Sequence, residues 1–502
     1  MSATSQPATR APADETLDNP WPVLWALCLG FFMILVDMTI VTVATPAIID
    51  ELDAGVNEAI WVTSAYLLAY AVPVLITGRF GDRFGPKKLY LAGLAVFTLA
   101  SLWCGLADSV TMLIAARAVQ GLGAALMTPQ TMAVITRIFP AARRGSAMAM
   151  WGATAGVATL VGPILGGFLV DALGWEWIFF INVPVGLFAM VLAVRLMPRL
   201  ETRQHSFDWL GVVLSGLGML LLVFAIQEGH QYDWGTIRGP VTVWRLIVVG
   251  LALLAAFVWW QARNRREPLM PLTLFRDRNF SVSNIGVSVL GFTFTAMGFP
   301  IMLYAQVVLG YTPTQAGLLL APMAIPSLLL APLIGRLTDR IHPRTLTVIG
   351  FATAAVSLAA IALLLDPDTP LWQLLVALGG LGVGSTFLWG PLATSANRNL
   401  PMDRAGAGSG VYNATRQVGS VLGSAVIALL IDARLTAQGL PTAGGGAGLH
   451  GSAPLPAPVA EAFSTAMSQA LLVVPIALGI GFVAMLFFER PRHFDSPAPA
   501  AG

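Results

Sequence analysis

Asp37, Arg117 and Arg416 are the residues of this sequence most able to do chemistry, because each interrupts a long apolar run in which a charge is costly. Asp37 lies about eleven residues from the far end of its run, roughly 16 Å along a helix. A carboxylate that deep in hydrocarbon costs on the order of 2.5–3.5 kcal/mol on insertion scales, so it must face a cavity, find a partner or carry a proton. Burial and a nearby cation act on such a group in opposite directions, which lets a proton and a cation compete for one site. Arg117 and Gln120 lie one turn apart on one helix face, and that helix descends as the Asp37 helix ascends. The three therefore fall at one depth, where a charge pair or water bridge is feasible, and they form the expected proton-coupling set. Two plainer readings stay open: Asp37 as a structural hydrogen-bonding acid, and Arg117 reaching for the membrane interface, since it sits only about seven residues inside its run.

The elements that must hold these residues are membrane-spanning helices. Of the 502 residues 56% are hydrophobic and 11% charged, with a mean hydropathy of +0.75, which excludes an ordinary soluble domain. At about 20 apolar residues per span, fourteen stretches qualify, near 22–48, 60–77, 89–107, 110–136, 145–170, 177–197, 208–227, 241–262, 281–309, 314–335, 345–365, 371–393, 405–431 and 466–488. Alternate connections collect Arg79, Arg83, Lys87 and Lys88, then Arg137, Arg143 and Arg144, then Arg195, Arg199 and Arg203, and so on to Arg398 and Arg404. Only Arg238, Arg245 and Arg434 fall opposite. The positive-inside rule then puts both termini in the cytoplasm. Cys28 and Cys104 lie inside apolar runs and predict no disulfide; the polar start of the chain lacks the pattern of a cleaved signal.

The segment GRFGDRFG at 78–85 recurs in part as GRLTDR at 335–340, each after a span and in a basic connection. Two related six-helix halves with two extra helices between them would accommodate fourteen spans. The expected organisation is a tail at 1–21, an N-terminal half at 22–200, an inserted helix pair at 201–265, a C-terminal half at 266–489 with a flexible outer loop at 432–465, and a second tail at 490–502.

GRFGDRFGPKK at 78–88 resembles the signature loop of the major facilitator superfamily. That resemblance implies a latch of Gly78, Gly81, Asp82 and Arg83, in which the glycines let helix ends approach and Asp82 accepts from a helix N-terminus or pairs with an arginine across the two halves. LIAARAVQGLGAA at 113–125 resembles the family's span with a proton-assisting arginine, here Arg117. GATAGVATLVGPILGG at 152–167 resembles its antiporter motif, carried by Gly156, Gly162, Pro163, Gly166 and Gly167, with a bend expected at the Gly162-Pro163 pair. LVDMTIVTVATPAI at 35–48, WEWIFFINVPVG at 175–186, PLTLFRDRNF at 271–280 and GVYNATRQVGSVLG at 410–423 are similar to the fourteen-span drug:proton antiporters. The implied fold is all-α, a major facilitator fold; the implied function is proton-coupled export of amphipathic small molecules.

Aromatic and amide side chains supply the expected substrate wall: Phe32, Tyr66, Asn182, Tyr304, Gln306, Trp389, Tyr412 and Asn413, with Arg416 either in that cavity or reaching for headgroups. With no second acid at depth, a dication would meet one carboxylate at most, so neutral, monocationic or weakly acidic cargo is expected. Neither lysine completes a GxxxxGK[ST] phosphate loop, and the five histidines are scattered, so no cofactor, metal or ATP is called for. The expected partners are protons, the solute and the lipid bilayer of the inner membrane, with no nucleic acid, and the chain is expected to work as a monomer and not as an enzyme. Uptake by proton symport and a non-transporting membrane sensor are the alternatives.

Overall fold

The computed structural model describes residues 19–54, 56–140, 143–200, 202, 208–229, 232–264, 268–398, 400, 404–440 and 456–489. Its N-terminal half holds α1 (Trp21–Glu51), α2 (Val56–Ala71), α3 (Val74–Phe84), α4 (Pro86–Gly105), α5 (Val110–Ile138), α6 (Arg144–Leu173), α7 (Trp177–Phe180) and α8 (Asn182–Leu196). The inserted pair is α9 (Trp209–Gln227) and α10 (Val243–Arg263), joined through a small hairpin, β1 (Thr236–Arg238) and β2 (Val241–Thr242). The C-terminal half holds α11 (Arg278–Leu303), α12 (Pro313–Leu319), α13 (Ala321–Arg340), α14 (Pro343–Leu364), α15 (Leu371–Asn397), α16 (Ala405–Ala437), α17 (Ala457–Leu471) and α18 (Val473–Met485).

Among the described residues twelve helices are long and apolar enough to cross a membrane, thirteen with the bent pair α2 and α3. The remaining expected span is α6, 30 residues long, whose described apolar stretch is the shorter Val161–Val170. Prolines account for most departures from the expected spans. Pro73 begins α3 after a 45° bend, and Pro322 sits in the first turn of α13 where α12 ends, because a ring without an N–H cannot continue the ladder behind it. α6, in contrast, runs unbroken through Pro163, so the expected bend does not end the helix there.

Two expected loops are shorter than the sequence reading had them. GRFGDRF is the end of α3 and GRLTDR the end of α13; only Gly85, at φ +93°, leaves the helix, in a conformation glycine adopts without strain. In both helices one face of the final turns is packed, with Gly78 and Asp82 of α3 against α16 and Gly335 of α13 against α6. At the outer loop, α16 extends to Ala437 and α17 begins at Ala457, so 432–465 shrinks from both sides; 441–455 lies outside the described residues.

The halves meet along two seams. α16 packs on α3 and α5, and α6 packs on α13 and α15, so exchanging the halves exchanges the seams. α9 leans on α2 and α16 through Leu68, Met219, Val223 and Val421, whereas α10 packs mainly on α9. Asp208 fixes that pair. It caps α9 by accepting from the Gly211 amide at 2.9 Å and also accepts from Trp260 Nε1 at 2.8 Å and Gln261 Nε2 at 2.7 Å on α10.

Candidate functional site

α1 carries Asp37 into the interior of the N-terminal half, where it is fully buried. Arg117 on α5 donates from Nη1 to Asp37 Oδ2 at 2.5 Å and to Gln120 Oε1 at 2.6 Å. Gln120 Nε2 reaches Asp37 Oδ1 at 2.8 Å, and Asn182 Nδ2, from the first turn of α8, reaches the same oxygen at 2.9 Å. Ser101 on α4 closes the cluster, 2.6 Å from Gln120 Nε2. Four side chains from three helices thus gather around one carboxyl.

The guanidinium is positioned as carefully as the acid. Arg117 Nε donates to the Val62 carbonyl at 3.2 Å, and its Cζ lies 4.1 Å from the centre of the Tyr66 ring. Arg117 is fully buried, so it does not reach for the interface. Its Nη2 and the Tyr66 hydroxyl have no hydrogen-bond partner among the described residues. A buried pair of this kind depends on both members: removing one leaves an uncompensated charge at a cost of about 3–5 kcal/mol. Asp37 Oδ1 already accepts from both Gln120 and Asn182, so a proton arriving at that oxygen takes the place of a donor now there.

The second constellation lies at the arginine-rich end. Asp82 on α3 accepts from the amides of Gly406 at 3.1 Å and Ala407 at 3.1 Å, the exposed N–H groups at the start of α16. Arg137, at the end of α5, donates to Asp82 Oδ1 at 3.0 Å, and Arg79 lies 3.8 Å away. Asp82 therefore receives a helix N-terminus from the opposite half and an arginine from its own. Arg83, expected in this latch, is exposed and lies over Phe84 instead, because its position on α3 faces away from α16. Gly78 and Gly81 do allow the close approach: a Cβ on Gly78 would meet Gly410 Cα at 2.9 Å, and one on Gly81 would meet Gln130 Cδ at 2.8 Å.

The same arrangement recurs with the halves exchanged. Asp339 on α13 accepts from the Gly145 amide at 2.9 Å and Ser146 Oγ at 3.3 Å, at the start of α6, while Arg398 beyond α15 donates at 3.1 Å. The GRLTDR repeat and the paired positions of Arg137 and Arg398 at span ends were the available signals. The sequence reading used the first only as evidence of duplication.

The antiporter-motif glycines sit on α6 where α1 and α12 come close. A Cβ on Gly162 would run into Thr39, one on Gly166 into Ile40, and one on Gly167 into Thr314. The surroundings of Gly156 lie outside the described residues.

The expected substrate wall divides. Asn182 and Tyr66 belong to the Asp37 cluster, with Phe32 half-buried on the same helix as Asp37. Tyr412, Asn413 and Arg416 lie buried on α16, and Arg416 Nη2 donates across the seam to the Tyr70 hydroxyl at 3.1 Å, so it does not reach for headgroups. Trp389 is half-buried at the α15–α6 seam, its ring 5.4 Å from that of Phe294. Tyr304 is spoken for elsewhere: it begins a π-helical turn and donates to the Asp366 carbonyl at 2.7 Å, fastening the outer end of the C-terminal half, and Gln306 shares that turn. Ser101 and Arg137 were missed, the first because serines abound in membrane helices, the second because an arginine at a span end reads as an interface anchor.

Residues 27–424 match a model of the Major Facilitator Superfamily. The chain belongs to that superfamily. It is a multi-pass membrane transporter, and its family acts on small molecules. It is 50% identical over 482 residues to an uncharacterized MFS-type transporter of Mycobacterium tuberculosis, covering 95% of this chain and 82% of that protein. It is 35% identical over 435 residues to the tetracenomycin C resistance and export protein of Streptomyces glaucescens, covering 84% and 78%. The fold resembles that of the proton:xylose symporter XylE with a TM-score of 0.64, covering 93% of this chain and 95% of that one at 12% identity.

Proposed function

We propose that the protein is a proton-coupled antiporter that exports amphipathic small molecules across the cytoplasmic membrane by alternating access, with its arginine-rich end and both termini inside. The Asp37–Arg117–Gln120–Asn182 cluster carries this reading: it is a buried ion pair with a spare guanidinium nitrogen and a carboxylate oxygen on which a proton displaces a donor. Export follows the 35% identical resistance and export protein and the small-residue motif on α6. One proton crossing roughly 150 mV releases about 3.5 kcal/mol, enough for a few-hundred-fold gradient of a neutral solute. The proton gradient is the energy source, no cofactor takes part, and the monomer is the working unit.

In this reading the two latches hold the cytoplasmic ends together, and the structure is the state closed on that side. Proton arrival at Asp37 loosens its donors on α5 and α8; release to the cytoplasm requires the Asp82 and Asp339 latches to part. Everted membrane vesicles test the proposal. With an acidic lumen, lipophilic dyes should accumulate inside and leave when a proton-exchanging ionophore collapses the gradient. Accumulation driven by the opposite gradient would establish symport.

A further inference from the structure

One buried cation is left over by this mechanism. Arg416 is 7% exposed, and its single hydrogen bond to a described residue is to the uncharged Tyr70 hydroxyl. No carboxylate lies within ion-pair distance among the described residues, and Nε is buried without a partner. Arg117, by comparison, has its acid. Arg416 is therefore a buried positive charge with no ion-pair partner among the described residues, a costly arrangement unless something negative visits the site. Beside Arg416 the Tyr412 hydroxyl is also buried without a partner.

Arg416 also lies on the moving seam. On α16, Gly406 and Ala407 hold Asp82, Ser409 donates to the Pro129 carbonyl at 2.8 Å, and Arg416 holds Tyr70, so one helix makes every contact in turn with α3, α5 and α2. Ten residues, about 15 Å, separate the latch from Arg416. Opening the latch end draws α16 away from α2 and removes from Arg416 the one acceptor it has. The guanidinium then faces the cytoplasmic cavity uncompensated.

We propose that Arg416 is the capture site for an ionised acidic oxygen of the substrate, a phenolate, enolate or carboxylate on an amphipathic body, and that Tyr70 displaces this oxygen as the seam closes. The site is strong when open to the cytoplasm and weak when closed, the asymmetry an exporter needs; the direction of use rests on the export reading above. A guanidinium suits the role because its planar fork can take two substrate oxygens in charge-assisted bonds, which a single bond to the neutral Tyr70 hydroxyl replaces only when the seam closes.

The test is equilibrium binding to the purified full-length protein in detergent, which does not depend on transport direction. The ligands are a long-chain 7-hydroxycoumarin, held above the pKa of its phenol, and its O-methyl ether at the same pH, read by quenching of protein tryptophan fluorescence. The phenolate should bind at least about tenfold more tightly than the ether, about 1.4 kcal/mol. Arg416→Gln should erase the preference, Arg416→Lys should keep part of it, and Tyr70→Phe should tighten the phenolate alone. Equal binding of the two ligands to the unaltered protein overturns the proposal, as does an Arg416→Gln variant that keeps the preference or weakens both ligands equally. If Arg416→Gln does not fold, Tyr70→Phe decides: unchanged or weaker phenolate binding overturns the displacement by Tyr70. A preserved preference together with failure of vesicle transport would instead count against the export reading alone.

Discussion

The Asp37 cluster and the pair of latches use the same chemistry in opposite ways. Each centres a buried carboxylate on an arginine and further donors, yet the latches come as two related copies that each join the halves, whereas the Asp37 cluster exists once, wholly inside the N-terminal half. In the C-terminal half no buried acid–arginine pair of that kind occurs among the described residues; there Ser327 meets Ser385 at 3.3 Å. The difference separates two tasks. A conformational lock can be shared by symmetry, because both halves must part together; a charge that is loaded and unloaded needs one address. The latches also differ in grade. Asp82 is 2% exposed, while Asp339, which also accepts at the start of a helix of the opposite half, is only half-buried.

The sharpest way to break this division is at Asp37. Asp37→Asn should reduce gradient-driven transport in vesicles to background while the protein still inserts, as judged by its elution on size exclusion; substantial transport would move the coupling elsewhere. Arg117→Ala should come close to that loss, and Arg117→Lys should retain a measurable fraction, because lysine keeps the charge but not the fork that holds Asp37 and Gln120 together. Equal rates for the alanine variant and the unaltered protein would reduce Arg117 to packing.

At the latches the effect should be smaller and of another kind. Asp82→Asn weakens charge-assisted bonds worth about 1.5–3 kcal/mol, so turnover should fall about tenfold or more with dye affinity kept or raised. Asp339→Asn should do less, because its carboxylate is less buried and its bonds are more screened by water. A larger effect at Asp339, or lost affinity with normal turnover at saturation, would undo the ranking.

The smallest effect is expected outside both regions. Asp208→Ala removes a helix cap worth about 1 kcal/mol and should lower thermal stability without changing coupling. Burial pushes the Asp208 carboxyl up, but hydrogen bonds from Gln261, Trp260, Gly211 and Leu269 outweigh it and leave the group below the usual carboxylate range. Its contribution is thus present above the ordinary aspartate pKa and is lost as pH falls through the depressed one. Melting curves of the variant and the unaltered protein should converge in acid; a difference that grows in acid would contradict the sign.

How far the sequence could be read follows from rarity. Asp37 and Arg117 were legible because a charge inside an apolar run has few innocent explanations, and their matching depth followed from counting residues. Asp82 was legible through its glycines. Asn182 was flagged as a polar outlier but assigned to the substrate, because nothing in a sequence says that the start of α8 lies over α1. Arg137 and Arg398 could not be told from the many basic residues at span ends; only the acid each one meets distinguishes them. The bend at Pro73 and the helix break before Pro322 were hidden in runs whose hydropathy does not change.

The inserted pair shows how modular this architecture is. α9 and α10 enter at the junction of the two repeats and touch the rest mainly through α9, which rests on α2 of one half and α16 of the other. An addition at that junction is tolerated because α10 packs mainly on α9 and the seam of α6 with α13 and α15 stays clear of both; only where α9 straddles α2 and α16 does it rest on a contact that moves. Evolution could splice there without retuning the machine, and an engineer wanting to attach a reporter to this transporter would begin at the same junction.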